Sequence, residues 1–222
     1  MRNRFSPPQL LLILVLLSLL LALVQIGLLT LAFEKLGLSP GSGLVLLLVS
    51  LFGSQINLPL VSVTASPPPE DSLATAWRSI LRLPPLPFTG KTIIAVNVGG
   101  CLVPVFFSIY LLNRSGIDLS TALLGIGMVS TISYLVSRPI PGIGIGMPIL
   151  VGPLAAAMVG ILLAPENSAP LAYICGTLGV LIGADLLRLK DVRRLGAPIA
   201  SIGGAGTFDG IFITGVVAVL LA

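Results

Sequence analysis

Two aspartates lie in apolar sequence near the C-terminus and set the chemical question. Asp185 stands in Gly183-Ala184-Asp185-Leu186-Leu187, and Asp209 in Gly203-Gly204-Ala205-Gly206-Thr207-Phe208-Asp209-Gly210. A carboxylate inside a membrane segment is costly to desolvate and points by default to a functional site. Two carboxylates close enough to share a proton can divide the work of amide hydrolysis. One takes a proton from a water and the other gives one to the scissile carbonyl. Asp185 also has Arg188 three residues on, so a local ion pair is the alternative there. Asp209 has no cation near it in sequence.

Two asparagines, Asn57 and Asn97, interrupt other apolar runs. They suit either a polar binding site or hydrogen bonds that join helices across a membrane interior. Gly206 and Gly210 have the spacing of close helix packing, and with Pro141 they complete the candidate substrate-binding positions.

The elements that position these residues follow from composition. Of the 222 residues, 55% are hydrophobic and 9% charged, and the net charge is +4. Mean hydropathy is +1.10, as in an integral membrane protein. No basic cluster interleaved with aromatics is present, which argues against nucleic acid as a partner. There is no histidine, and Cys101 and Cys175 sit in apolar runs without a C-x-x-C spacing. A zinc or haem site would lack its usual ligands, and no cofactor is expected.

The expected fold is all-α: one integral membrane domain over 1–222, a polytopic bundle of about seven spans with a segment broken by proline and glycine. The first span, Pro8 to Phe33, is too long for a signal-peptide core and has no cleavage signal after it. The second runs from Gly41 to Val61, with Pro59 near its end. A cytoplasmic loop over 63–90 contains an amphipathic stretch, Asp71 to Leu83, that suits either an interfacial helix or a loop helix packed on the bundle. Further spans cover Lys91–Leu112, Leu119–Val136, a run to Ala164 interrupted by Pro153, one ending near Leu187, and Ile199 to the C-terminus. Arg138 to Pro148 alternates proline and glycine too densely for a helix. At membrane depth its backbone must be satisfied by protein or line a wet cavity.

Lysine and arginine orient the bundle in the cell (inner) membrane. With the N-terminus cytoplasmic, the inner side holds Arg2, Arg4, Arg78, Arg82, Lys91, Arg138, Arg188, Lys190, Arg193 and Arg194. The outer side holds Lys35 and Arg114, and the C-terminus. Asn57, Asn97, Asp185 and Asp209 then all fall toward the cytoplasmic side. The two aspartates do not match in depth automatically. In straight helices the mismatch is on the order of 10 Å. They meet only if Gly196 to Gly206 is partly extended or re-enters the membrane.

The stretches Gly53–Leu60, Ala95–Pro104, Arg138–Pro148, Gly183–Leu187 and Gly203–Gly210 resemble the prokaryotic membrane family DUF1614, a domain of unknown function. G-G-A-G-T-F-D-G-I-F is the most specific of them. A second resemblance is to intramembrane aspartyl proteases of the presenilin and signal-peptide-peptidase type. These carry one catalytic aspartate on each of two neighbouring helices, the second in G-x-G-D. Here Gly204 to Asp209 gives G-x-G-x-x-D, Ala197-Pro198-Ile199-Ala200 stands in place of P-A-L, and no tyrosine precedes Asp185. That resemblance implies a protease acting on a transmembrane peptide through Asp185 and Asp209. The polar residues alone allow a transporter or ion pathway for a small ion or solute, or a structural protein whose aspartates specify packing. Membrane lipid is the common partner of all three.

The charge imbalance yields a first test. In a cysteine-less background, a cysteine at position 192 should be labelled by impermeant reagent only after the inner face is exposed. Labelling in intact cells would refute the topology.

Overall fold

The computed structural model describes residues 7–67, 90–141, 144–204 and 210–222. Helix α1 spans Pro7–Lys35 and α2 Pro40–Gly53. Strands β1 (Asn57–Thr64) and β2 (Lys91–Asn97) follow. A π turn, Val98–Leu102, leads into α3 (Val103–Arg114), and α4 covers Leu119–Val136. Two short strands, β3 (Arg138–Ile140) and β4 (Gly144–Gly146), precede α5 (Val151–Leu163). Helix α6 starts at Ser168–Ile174 and continues in π geometry through Cys175–Gly179 and Leu181–Leu186. A 3-10 segment (Leu189–Arg194), strand β5 (Ile199–Ile202) and α7 (Gly210–Leu221) complete the chain.

Among the described residues, three helical stretches are long and apolar enough to cross a membrane: Ser18–Lys35, Leu119–Val136 and Pro165–Leu186. Their burial separates their roles. The Pro165–Leu186 window is 72% buried, against 12% and 28% for the other two. So α6 is the centre of the bundle, with Leu171, Tyr173 and Ile174 fully buried. Exposed Leu20, Leu23, Val45, Phe52, Leu135 and Leu162 give the outer helices an apolar surface suited to lipid.

The all-α expectation is corrected by five strands among the described residues, in a fold that is still mostly helical. The second span stops as a helix at Gly53, and Asn57–Thr64 is strand β1. The third begins as strand β2, and its helical part starts at Val98. The last begins as β5, with helix from Gly210. The sequences N-L-P-L-V-S-V-T and K-T-I-I-A-V-N are rich in β-branched residues, which pack well on a pleated surface. The sheet order is β1-β2-β5, β1 antiparallel and β5 parallel to β2. Pro59 lies on the edge strand at a register shift, where a missing N–H is tolerated. Pro153 does not interrupt α5, because it falls in the first turn of Val151–Leu163. Arg138 to Pro148 is non-helical where described, with β3 and β4 paired antiparallel. The expected helix over 71–83 lies outside the described residues.

The helices alternate in direction, so the strands gather at one end. At the opposite end, Lys35 donates from Nζ to the Val219 carbonyl (3.4 Å), near the last turn of α7. Ser168 donates to the Ala222 carbonyl there (3.1 Å). Lys91, Arg138, Arg188, Lys190, Arg193 and Arg194 belong to the strand end, and Lys35 and Arg114 to the other.

The tightest packing joins α2 to the π turn. A Cβ on Gly99 would collide with the backbone of Ser50, Gly53 and Ser54, while Ser50 donates its hydroxyl to the Gly99 carbonyl (2.7 Å). Gly99→Ala must push two backbones apart. It should lower unfolding stability by about 1–3 kcal/mol or more, as overpacking does. A thermal melt in detergent checks this, and an unchanged midpoint would contradict the packing.

Candidate functional site

Asn57 and Asn97 face one another in the β1–β2 register. Asn97 is 1% exposed. Its Nδ2 donates to the Ser54 carbonyl (2.8 Å) and to Asn57 Oδ1 (3.1 Å). Its Oδ1 accepts the Gly100 N–H (2.7 Å), which caps the π turn. Ser201 of β5 donates its hydroxyl to the same Asn57 Oδ1 (2.5 Å). Thus one amide pair binds the end of α2, the start of the third helical segment and all three strands of the sheet. These are hydrogen bonds of the joining kind.

Asp185 lies in the last π turn of α6, half-buried. Its Oδ2 accepts the Gly203 N–H at 2.7 Å. Gly203 has φ +85°, and a side chain there would meet Cys101 Cβ and N at 2.7 Å. Only glycine suits both the left-handed backbone and the gap. Gly204 follows at φ +97° and donates to the Ser201 carbonyl (3.2 Å).

The local ion pair between Asp185 and Arg188 is not what the fold builds. Arg188 turns to α4 instead. It donates to the Tyr134 carbonyl (2.7 Å), the Ser137 carbonyl (2.9 Å) and the Ser137 hydroxyl (3.3 Å). Its guanidinium carbon lies 4.3 Å from the Tyr134 ring centre. Its ionic partner is Asp191, at 3.3 Å. A cation on the carbonyl end of α4 complements the helix dipole. Asp185 is left to the backbone of Gly203.

A cavity of about 310 Å³ opens beside Asp185. Its polar lining includes Asp185, Ser201 and Thr214, and its apolar wall includes Ile145, Met147, Val180, Val192 and Leu195. Gly144 and Ile145 bring β4 into the wall, so the proline- and glycine-broken segment does reach the site. Gly204 and Ile211 line it too, from either side of 205–209. Asn57, Asn97 and Pro141 are not among the lining residues. Pro141 is exposed at the turn after β3. Gly210 is the first residue of α7, beside Ile211. Asp209 and Gly206 lie outside the described residues.

Sequence reasoning missed Ser201, Gly203 and the Arg188 clamp. Ser201 had a weak signal, a lone hydroxyl in Ile199-Ala200-Ser201-Ile202. The other two depend on partners remote in sequence. Among the described residues no three His, Cys, Asp or Glu side chains gather as a metal site would require.

Apolar helices with a small sheet at one end, and Asp185 in a cavity beside it, define a membrane protein of mostly helical class. The family model of DUF1614, described as "Protein of unknown function", matches residues 51–221, and the chain belongs to that family. No curated protein and no solved structure matches it.

Asn97→Ala would strip partners from the Ser54 carbonyl, the Gly100 N–H and the Ser201–Asn57 pair at once. Each buried group left unsatisfied costs about 1–3 kcal/mol. The variant should melt far below the wild type and lose hydrogen-exchange protection in β1 and β2 together. Loss confined to one strand would contradict the shared anchor.

Proposed function

We propose that the protein is an intramembrane aspartyl hydrolase of seven spans, with a cytoplasmic N-terminus and a dyad of Asp185 and Asp209. The observation that carries this reading is the bond from the Gly203 N–H to Asp185. It brings the chain level with Asp185 at the start of the glycine run that leads to Asp209. Ile199–Ile202 runs as a strand along β2, so the chain reaches Asp185 at Gly203, six residues before Asp209 in sequence. Gly204 and Ile211 then line the cavity that holds Asp185.

The chemistry follows from a shared proton. The ionised carboxylate takes a proton from water as the water oxygen bonds to the amide carbon. The protonated carboxyl gives its proton to the carbonyl oxygen. The carboxyl that took the water proton then gives it to the nitrogen as the diol collapses and the C–N bond breaks, and a diol O–H proton passes to the other carboxylate, so the dyad again holds one proton. The Gly203 N–H holds one oxygen of Asp185, and the apolar wall suits a hydrophobic peptide.

A transport reading has its own support. Helix α5 begins beside the cavity after the non-helical Pro148, and the described part of α7 follows strand β5 across 205–209. Discontinuous helices of this kind frame solute sites in transporters.

A photoreactive peptide with a hydroxyl-bearing tetrahedral isostere at its centre mimics the hydrolytic transition state. It should label the wild type and fail to label Asp185→Asn or Asp209→Asn, with all three proteins melting alike. Proteomics of cells carrying each form should show membrane-peptide fragments from the wild type alone. If either folded variant is labelled and cleaves like the wild type, the hydrolase reading is wrong. Solute uptake into liposomes that depends on Asp185, without cleavage, would establish transport.

A further inference from the structure

The strand end carries six cations among the described residues, and their environments divide them. Arg188 is fully engaged with α4 and Asp191. Lys91, Arg138, Lys190, Arg193 and Arg194 are all exposed. Among the described residues, Arg188–Asp191 is the one ion pair, so none of these five is neutralised by a described acid. The other described acid of this end, Asp185, is held by Gly203. At the opposite end both cations are engaged: Lys35 with the Val219 carbonyl and Arg114 with the Tyr110 hydroxyl (2.6 Å).

The five also share a place. Lys91 pairs with Thr64 at the far end of the sheet, and the Ser66 N–H bonds to the Arg193 carbonyl (2.9 Å). Arg138 adjoins Ser137, which receives Arg188, and Lys190 to Arg194 follow on from it. The result is an arc from β3 through the 3-10 segment to the sheet end. Its depth suits a membrane surface. The 7 residues of β2 carry Lys91 up to about 20 Å beyond the helical bundle's edge at Asn97. That is far enough to pass from the hydrocarbon into the headgroups.

We propose that this arc binds the phosphate headgroups of anionic phospholipid in the leaflet at the strand end. Clustered lysine and arginine beside a membrane surface are drawn to anionic lipid, each contributing up to about fivefold in association at low salt. The proposal rests on charge placement and is independent of the hydrolase reading.

The test uses the full chain in nanodiscs doped with spin-labelled lipid. The wild type should bind spin-labelled phosphatidylglycerol several-fold better than phosphatidylcholine, and rising salt should erase the difference. The triple variant Lys190→Gln, Arg193→Gln, Arg194→Gln should lose most of the preference. Arg193→Lys with Arg194→Lys should keep it, as should Arg114→Gln at the other end. Equal association of the two lipids with the wild type would overturn the proposal, and so would a preference indifferent to salt. A folded triple variant with undiminished preference would overturn it as well. If millimolar inorganic phosphate abolishes the preference at constant ionic strength, the arc is a free-anion site and the lipid assignment fails. The salt and phosphate arms need only the wild type, so they decide the matter even if the triple variant does not fold.

Discussion

The Asn97 side chain is the interaction on which the architecture depends. In an apolar surrounding, backbone N–H and C=O groups must find partners within the protein. A chain that leaves helix for strand at the end of a membrane bundle exposes such groups at every transition. Asn97 serves two of these transitions together. It takes the Ser54 carbonyl beyond α2 and the Gly100 N–H of the π turn. Through Asn57 it also reaches Ser201, and so fixes β5. Once β5 is fixed, Gly203 is brought to Asp185. The site is therefore a consequence of how the backbone is satisfied, two steps removed.

The helices were legible in the sequence because long apolar runs between charged or proline-rich turns have few other uses. Leu119–Val136 has the bounds expected of it, and α6 ends at Leu186 where Leu187 was expected. The strands were not legible. Leu58 to Val63 and Thr92 to Val96 are short apolar runs continuous with helices, and periodicity cannot separate a buried strand from helix over such lengths. What decides is pairing: Asn57–Thr64 needs Lys91–Asn97, and that needs Ile199–Ile202, more than a hundred residues on. Proline and glycine from Arg138 to Pro148 carried a local signal, and there the expectation of broken helix held.

Asp185 shows the same limit on a single side chain. The nearest cation in sequence, Arg188, offered an obvious partner three residues away. Spacing of that kind predicts contact only in a regular α-helix. Here α6 runs in π geometry through Leu181–Leu186, and Leu187 to Arg188 leaves the helix. Arg188 has better partners in the open carbonyls at the end of α4, which offer several acceptors, an aromatic face and the negative end of a dipole. Two residues three apart in sequence thus serve different purposes. One closes the bundle, and the other is left facing a cavity.

The lengths of the elements place that cavity with respect to a bilayer. Helix α7 has 12 residues, which rise about 18 Å. A hydrocarbon core is about 30 Å thick. With the Lys35 and Val219 end at one surface, Gly210 lies roughly 12 Å short of the other. Ile211 and Thr214 of α7 line the cavity beside Asp185, and on that placement the carboxylate falls within the hydrocarbon thickness. Non-helical backbone at that depth is tolerated only when protein covers it or it borders a wet space. Here β2 covers one side of β5, and the cavity borders β5 and the glycines after it. Water drawn to that depth has Asp185, Ser201 and Thr214 among its polar neighbours. A carboxylate, two hydroxyls and a largely apolar wall thus coincide where α6 ends and β5 meets the bundle.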